Sequence, residues 1–143
     1  MVDKIEKTDE EWLKELTPEQ FNVCRQAGTE PPFTGKYNEW KETGIFVCSC
    51  CGNPLFSSDT KFNSGTGWPS FYAPLSKDAV DLNKDWAMFM QRVEVVCSKC
   101  DAHLGHVFND GPQPTGQRYC MNSVSLEFKV PGETNGESAK NSD

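Results

Sequence analysis

The 143-residue chain has no run of apolar residues that approaches the ~18 needed by a membrane-spanning helix. It is also poor in positive charge, since 14 Lys and Arg residues face 21 Asp and Glu residues and leave a net charge of -7. A surface of that sign repels phosphate backbones, which argues against nucleic-acid binding. The length fits one domain, because domains average roughly 150 residues.

Residues 1–12 are acidic and lack both the apolar centre of a secretory signal and the Arg-rich composition of an organellar presequence. We therefore expect a cytoplasmic protein with no membrane partner. In a reducing compartment, the seven cysteines favour metal binding or redox chemistry over a disulfide framework.

Capping patterns predict two short N-terminal helices. Thr8 with Glu11 forms a capping box before a helix near residues 9–16, and Thr17 with Gln20 repeats the pattern before a second helix that ends by Gly28. Cys24 then lies on or beside the buried face of the second helix.

After the helices, short apolar runs separated by turn residues predict strands, and the fold is therefore mainly β. The expected strands lie near residues 45–48, 54–56, 69–73, 88–96 and 118–130. We expect a single domain over 1–130 and a disordered polar tail over 131–143, because the tail has no large apolar residue.

Two Cys-x-x-Cys turns predict a structural zinc site held by Cys48, Cys51, Cys97 and Cys100. The residue after each second cysteine is suited to a positive φ, and Gly52 and Asp101 stand at these positions. Four thiolate ligands leave no open coordination position, so the metal should stabilise the fold rather than catalyse.

Other interpretations of these cysteines stay open at this point. Cys97, Cys100, His103 and His106 recur at a spacing of three and form a rival metal set, although that set leaves Cys48 and Cys51 unused. Buried free thiols and a thioredoxin-like redox motif are further alternatives, and the latter needs a βαβ context that the sequence does not show.

Cys120 is the candidate nucleophile among the remaining cysteines. Side chains two apart on a strand share a face, so Arg118, Cys120 and Asn122 should line up, followed on that face by Val124, Leu126 and Phe128. A guanidinium beside the sulfur can lower a thiol pKa, and the thiolate is the reactive form. The alternative is a small buried hydrophobic residue with a coincidental Arg neighbour.

The histidines and one tryptophan complete the candidate site. His103 and His106 follow the second cysteine turn directly, and histidine is well suited to donate a proton near neutral pH. Trp68, between Gly67 and Pro69, can form the wall of a small apolar pocket. Ordinary packing is the alternative for each of these residues.

Together these segments resemble the methionine-R-sulfoxide reductase (MsrB) family. The segments that carry the resemblance run in family order across roughly 20–128: residues 28–35, the first cysteine turn with 54–56, 61–71, 97–112 and 118–128. The resemblance implies two antiparallel sheets of the β-tent type, a structural zinc remote from the active site, and thioredoxin-dependent reduction of methionine-R-sulfoxide in oxidised proteins and peptides, which is a repair reaction of oxidative stress.

The resemblance also implies residue roles. Cys120 would attack the sulfoxide sulfur and Trp68 would receive its methyl group. The proton donors or binders of the sulfoxide oxygen would be His103, His106 and Asn122, and the residues that tune the site would be Arg118 and Asp110. Attack releases methionine and leaves a sulfenic acid on Cys120, which a second thiol can convert into a disulfide.

The chain departs from the family pattern at two places. Thr66 stands where many members carry the resolving cysteine, so we expect Cys24 to resolve the sulfenic acid, with Cys50 and an external thiol as the next candidates. Residues 85–90 lack the Ser and Gly that the family often shows before its Met-x-Arg, which leaves the local loop undetermined.

Two other functions compete with the reductase. A zinc-stapled β domain can serve as a non-catalytic binding module, and a reactive thiol can serve as a redox sensor. Cys120 with its same-face partners is the feature that a binding module does not require.

Overall fold

The computed structural model describes residues 5–87 and 90–130, so the tail expected over 131–143 lies outside the described residues. Two short helices, α1 (Asp9–Glu15) and α2 (Pro18–Arg25), confirm the predicted N-terminal pair. None of the helices in the described part of the chain is long and apolar enough to cross a bilayer.

Both helices begin with the capping boxes that the sequence predicts. Glu11 N–H donates to Thr8 Oγ1 at 3.2 Å, and Thr8 N–H donates to the Glu11 carboxylate at 2.8 Å. Thr17 and Gln20 exchange the equivalent bonds at 3.1 and 2.9 Å. These reciprocal bonds satisfy the free N–H groups of each first turn and fix where the helix starts.

The strands of the described residues form two antiparallel sheets, as predicted. One sheet has three strands in the order β2-β1-β9, and the other has six in the order β3-β4-β8-β7-β6-β5. Their bounds are β1 Ile45–Cys48, β2 Pro54–Ser57, β3 Lys61–Phe62, β4 Ser70–Phe71, β5 Val80–Ala87, β6 Met90–Cys97, β7 His103–Phe108, β8 Arg118–Met121 and β9 Leu126–Lys129.

Strands β3, β5 and β7 were not among the predicted strands. β3 is only two residues long, and β5 and β7 lack a clear alternation for different reasons. β5 is the edge strand of the larger sheet, and the side chains from Asp81 to Lys84 are all exposed, so no apolar alternation marks it. β7 lies inside the sheet and is largely buried on both faces, which also removes the alternation. The departure noted at residues 85–90 falls at the β5–β6 connection, of which 88 and 89 lie outside the described residues.

The prediction of one continuous strand over 118–130 was wrong. β8 ends at Met121, a single 3-10 turn spans Ser123–Ser125, and β9 then enters the other sheet. The shared face expected to continue from Asn122 to Val124 is therefore broken at the turn. This turn carries the chain from the sheet that holds Cys120 to the sheet that holds Cys48.

Aromatic side chains from both sheets form the core between them. Phe46 and Phe56 of the smaller sheet pack on Phe71 of the larger one, with ring centroids 5.2 and 4.5 Å apart, and all three side chains are fully buried. Such pairs contribute about 0.5–1.5 kcal/mol each beyond the burial of their area. This contact fixes the larger sheet, and with it β8, against the rest of the fold.

Candidate active site and metal centre

Four cysteine sulfurs converge at one end of the fold. The sulfurs of Cys48, Cys51, Cys97 and Cys100 all lie within 4.8 Å of one another, with Cys48 to Cys100 and Cys51 to Cys97 both at 3.6 Å. The first pair leaves the end of β1 and the second leaves the end of β6, so a metal ion here joins the two sheets. The predicted four-cysteine set is confirmed as a cluster that can hold a metal.

The two cysteine turns have the same backbone geometry. Gly52 N–H donates to the Cys48 carbonyl at 2.8 Å, and Asp101 N–H donates to the Cys97 carbonyl at 2.9 Å. The φ angle is 81° at Gly52 and 63° at Asp101, which confirms the positive φ expected after each second cysteine. The turns therefore present their sulfurs as matched pairs.

The rival metal set is not assembled. Among the described residues, the group that could hold a metal consists of the four cysteines and does not include His103, whose Nδ1 lies 2.7 Å from Glu94 Oε2. His106 lines a separate cavity that contains none of the four clustered cysteines.

Cys120 lies in a row of side chains that crosses four strands of the larger sheet. In the register of that sheet, Glu94 of β6 is opposite His106 of β7, His106 is opposite Cys120 of β8, and Cys120 is opposite Ser70 of β4. Directly opposed residues share a face and bring their Cβ atoms within about 5.5 Å. The strand pairing thus puts an imidazole beside the thiol, although the two residues are 14 positions apart in sequence.

A cavity of about 280 Å³ opens over this row. Five of the predicted site residues line it: Trp68, His106, Arg118, Cys120 and Asn122. The rest of the lining is formed by Thr29, Thr66, Gly105, Phe108 and Met121. This volume accommodates a small side chain rather than a large cofactor.

Burial and charge act in opposite directions on the Cys120 thiol. Burial raises its pKa above the ordinary value, while the positive charge of Arg118 and hydrogen bonds with Thr66 and Arg118 lower it by a smaller amount. The expected effect of Arg118 on the thiol is therefore present, but the net change of the pKa is upward. Cys120 without substrate is a protected, largely neutral thiol near neutral pH.

Arg118 is itself held by Asp110. Its Nε and Nη2 atoms donate to the two carboxylate oxygens of Asp110 at 2.8 and 3.1 Å, and its guanidinium lies 4.5 Å from the centroid of the Phe108 ring. This bidentate pair lowers the pKa of Asp110 and raises that of Arg118. Asp110 is outside the cavity and acts on Cys120 through the position of the guanidinium.

His103 lies behind His106 rather than in the cavity wall. Its side chain is buried, its ring centroid is 5.4 Å from that of His106, and its Nδ1 is hydrogen-bonded to Glu94. The pairing of β6 with β7 passes from Val95–Gly105 to Val96–His103, which leaves Leu104 as an extra residue. This bulge turns His103 toward the face that carries His106.

Asn122 and Trp68 reach the cavity from outside the strands, and both are held by one residue. Asn122 Oδ1 accepts from Glu30 N–H at 3.0 Å, and Trp68 Nε1 donates to the Glu30 carbonyl at 2.9 Å. Asn122 Nδ2 also donates to the Leu104 carbonyl at 3.1 Å, which fixes the plane of the amide.

Cys24 is placed away from the cavity. It is 2% exposed on α2, and its sulfur lies 3.6 Å from Ser49 Oγ and 3.8 Å from Ser125 Oγ. A hydrogen bond with Cys50 is the main cause that lowers the Cys24 pKa to about 7. The structure thus groups Cys24 with Cys50, and it groups Thr66 with Cys120.

Residue patterns alone did not identify four residues that contact the site: Thr29, Ser70, Glu94 and Glu30. Thr29 and Glu30 belong to a segment without secondary structure, and Ser70 and Glu94 reach the row only through strand pairing. Glu94, which lies two strands away from Cys120, can be assigned to the site only when the pairing of β6, β7 and β8 is known.

A thiol opposite an imidazole in a small cavity, in a fold that also has a separate four-cysteine cluster able to hold a metal, is typical of a thiol-dependent enzyme. The model of the SelR domain matches residues 16–130. A peptide methionine sulfoxide reductase MsrB of Methanosarcina barkeri is 62% identical over 129 residues, which cover 90% of this chain and 91% of that protein.

Two bacterial proteins of the same name are similarly related. The one from Pseudomonas syringae pv. syringae is 63% identical over 127 residues, 89% of this chain and 97% of its own length. The one from Hahella chejuensis is 59% identical over 127 residues, 89% of this chain and 91% of its own length. The chain belongs to the SelR domain family of MsrB proteins.

Proposed function

We propose that this chain reduces methionine-R-sulfoxide in peptides and oxidised proteins, with Cys120 as the nucleophile. The observation that carries the proposal is the register that sets His106 directly opposite Cys120 in a cavity with Trp68 in its wall. We take residues 1–130 as one catalytic unit.

The reaction transfers one oxygen atom from the sulfoxide to Cys120. The Cys120 thiolate forms a sulfur–sulfur bond to the sulfoxide sulfur while the sulfoxide oxygen is protonated. The protonated oxygen then moves to the Cys120 sulfur as the sulfur–oxygen bond of the substrate and the new sulfur–sulfur bond break, and methionine leaves with two more electrons on its sulfur. Cys120 loses the two electrons and ends as a sulfenic acid. The raised pKa keeps the thiol protonated until substrate arrives, which protects it from unspecific oxidation.

His106 is the group placed to protonate the sulfoxide oxygen. An oxygen anion is a poor leaving group, so general acid catalysis at this atom lowers the barrier. His106 lines the cavity beside Cys120, and Asn122 adds an amide N–H at the same wall. His103 supports His106 from behind through the ring contact, with its own orientation set by Glu94.

Trp68 provides an apolar surface for the methyl group of the sulfoxide. A sulfoxide sulfur is chiral, so a site that fixes the methyl group on one wall and the oxygen on another accepts one epimer. The bond from Trp68 Nε1 to the Glu30 carbonyl holds the indole in place for this selection. Arg118 and Asp110 adjust the charge around the thiol.

Regeneration of Cys120 requires another thiol, and thioredoxin is our proposed electron donor. Within the described residues, no other cysteine shares the cavity, and Thr66 occupies the wall next to Cys120. A resolving role for Cys24 requires that α2 leave its packing, because the thiol is buried against Ser49 and Ser125. That role stays a prediction, with Cys50 and direct attack by an external thiol as its competitors.

Peptide mapping after one turnover without reductant distinguishes the three resolving thiols. A Cys24–Cys120 disulfide that is lost in Cys24→Ser supports Cys24. A disulfide that persists in Cys24→Ser, or a sulfenic acid that accumulates in the unmodified chain, rejects it.

We propose zinc as the metal of the four-cysteine cluster. With zinc–sulfur distances of ~2.3 Å, the edge of a regular tetrahedron is about 3.8 Å. The pairs at 3.6 Å and the limit of 4.8 Å fit that figure. When bound, zinc supplies the link between the cysteine turns of β1 and β6 and takes no part in the sulfoxide chemistry.

The cysteines also bear on the compartment in which we expect the protein. All seven cysteines are free, and a reductase that uses thioredoxin needs reduced cysteines, so we place the chain in a reducing compartment such as the cytoplasm.

The direct test is an assay with separated sulfoxide epimers and a chemical reductant. The wild-type chain should reduce methionine-R-sulfoxide in a peptide, leave the S epimer largely unchanged, and lose the activity in Cys120→Ser. A binding module would show no turnover. In a redox sensor, peroxide would oxidise Cys120, but the sulfoxide would not be converted into methionine.

A further inference from the structure

Glu30 is a buried carboxylic residue in the segment between α2 and β1, outside the cavity that holds Cys120. Only 3% of the residue is exposed, although Glu is rarely buried unless its carboxyl is paired. Its neighbour Thr29 faces the cavity of Cys120, whereas Glu30 lines a second cavity of about 450 Å³. The side chain of Glu30 is therefore not available to substrate at Cys120.

The backbone of Glu30 contacts two residues of the active-site wall. Its N–H donates to Asn122 Oδ1 at 3.0 Å, and its carbonyl accepts from Trp68 Nε1 at 2.9 Å. These are the only hydrogen bonds that the structure gives, within the described residues, for the side-chain oxygen Oδ1 of Asn122 and for the Trp68 indole N–H. Glu30 thus holds the Trp68 indole, and it holds the Asn122 amide together with the Leu104 carbonyl, to which Asn122 Nδ2 donates at 3.1 Å.

The carboxyl of Glu30 fixes that position. Its Oε1 accepts from Val124 N–H at 3.0 Å, in the 3-10 turn directly after Asn122. Gly35 passes so close that a Cβ there would collide with Glu30 Oε2 and Ser123 Oγ. Burial raises the pKa of Glu30, and the hydrogen bond from Val124 N–H opposes part of that rise.

We propose that Glu30 is a positioning residue for sulfoxide reduction, whose carboxyl locks its own two peptide groups so that they orient Trp68 and Asn122. The inference rests on the proposed function, because it assigns the indole to the methyl group and the amide to the oxygen. Loss of the hydrogen bond between the Glu30 carboxyl and Val124 N–H should displace the Trp68 and Asn122 side chains and leave the Cys120 thiol in place. Misplacement of reacting groups by about 1 Å can cost roughly 100-fold in rate.

The test compares three substitutions at Glu30. Glu30→Gln keeps the shape and an acceptor oxygen for Val124 N–H, so it should retain kcat/KM and the preference for the R epimer. Glu30→Ala removes the acceptor and should lower kcat/KM for the R epimer by about 10- to 100-fold, with a reduced preference over the S epimer. Glu30→Asp shortens the side chain by one methylene, and its kcat/KM and epimer preference should lie between those of Glu30→Gln and Glu30→Ala.

The NMR resonance of the Trp68 indole N–H provides a readout that does not depend on activity. Assigned with Trp68→Phe, it should move upfield in Glu30→Ala and Glu30→Asp, as the bond to the Glu30 carbonyl weakens, and stay in place in Glu30→Gln. Glu19→Ala is the matched control, because Glu19 lines the same second cavity and has no contact with Trp68 or Asn122 among the contacts of the described residues. It should behave as wild type.

Specific outcomes overturn the proposal. The proposal is rejected if a folded Glu30→Ala variant has the kcat/KM, the epimer preference and the indole resonance of the wild type. It is also rejected if Glu30→Gln loses as much kcat/KM as Glu30→Ala. If Glu30→Ala does not fold, the indole resonance and epimer preference of Glu30→Asp decide. If the wild-type chain reduces neither epimer, the proposed function is rejected instead. The indole resonance then still tests whether the Glu30 carboxyl positions Trp68.

Discussion

Cys120, the proposed nucleophile, lies in a setting where burial and a guanidinium act on the pKa of its thiol in opposite directions. Burial is the larger effect and raises the pKa, and Arg118 offsets part of it. The thiolate fraction near neutral pH is therefore small before substrate binds and increases as the pH rises toward the raised pKa.

Arg118→Ala should slow the alkylation of Cys120 near neutral pH. The positive charge stabilises the thiolate, so its removal raises the pKa further, and a pKa higher by one means a thiolate fraction about tenfold lower. Mass spectrometry of the Cys120 peptide after timed iodoacetamide labelling across a pH series measures this. Arg118→Lys keeps the charge and should lie nearer wild type; an unchanged pH midpoint in Arg118→Ala contradicts the assigned effect.

Thr66→Cys should create a resolving thiol next to Cys120. Thr66 lines the same cavity as Cys120, and its side chain is near enough to lower the pKa of the Cys120 thiol, so a sulfur at this position should reach the sulfenic acid. After one turnover without reductant, peptide mapping should find about one 66–120 disulfide per chain. Thr66→Ser is the control without a new thiol, and a sulfenic acid that persists in Thr66→Cys would argue against this geometry.

At the scale of the elements, strand β7 shows why a spacing read along the sequence misassigns a side chain. His103 and His106 are three apart and would lie on opposite faces of a regular strand. The bulge at Leu104 turns His103 back to the face of Glu94 and His106. A bulge depends on the partner strand, so it leaves no pattern in the segment itself.

Glu94→Ala should lower kcat for the R epimer roughly tenfold with little change in KM, because a hydrogen bond to a charged group contributes about 1.5–3 kcal/mol. The loss reaches the reaction through His103, which no longer has its partner at Nδ1. Steady-state kinetics with the R epimer measures the effect. Glu127→Ala, which removes an exposed carboxylate on β9, is the control. Unchanged kcat in Glu94→Ala would show that the hydrogen bond between Glu94 and His103 has no part in the reaction.

Elements with local signals were predictable, and elements defined by their partners were not. The two helices follow from capping boxes four residues long, so Thr8 and Thr17 were sufficient to place them. The break between β8 and β9 has no such signal, because Val124, Leu126 and Phe128 continue the alternation of a strand. Only the pairing of β9 with β1 in the other sheet shows that the alternation is interrupted.

At the scale of the whole molecule, the metal site and the aromatic core join the two sheets. Cys48 ends β1 of the smaller sheet and Cys51 lies in the turn after it, whereas Cys97 ends β6 of the larger sheet and Cys100 lies in the turn after that strand. The doubled Cys-x-x-Cys was sufficient to predict this link from the sequence. The row from Glu94 to Ser70 was not predictable, because it depends on the order of four strands.

If the four-cysteine cluster holds zinc as proposed, Cys48→Ser should lose that metal and destabilise the fold. Structural zinc contributes free energy to folding, and a loss of several kcal/mol corresponds to a fall in Tm of roughly 10 °C or more. Metal analysis and a thermal melt provide the measurement. Cys50→Ser is the matched control from the same turn, since Cys50 is not one of the four clustered ligands; full zinc occupancy in Cys48→Ser would contradict the assignment.

The central claim is that the oxygen of the sulfoxide passes to the Cys120 sulfur. A single-turnover reaction of the fully reduced chain with methionine-R-sulfoxide, without reductant, tests it most directly. We predict about one methionine per chain, with oxidation found on the Cys120 peptide as a trapped sulfenic acid or as a disulfide. Methionine released by Cys120→Ser in the same amount would contradict it.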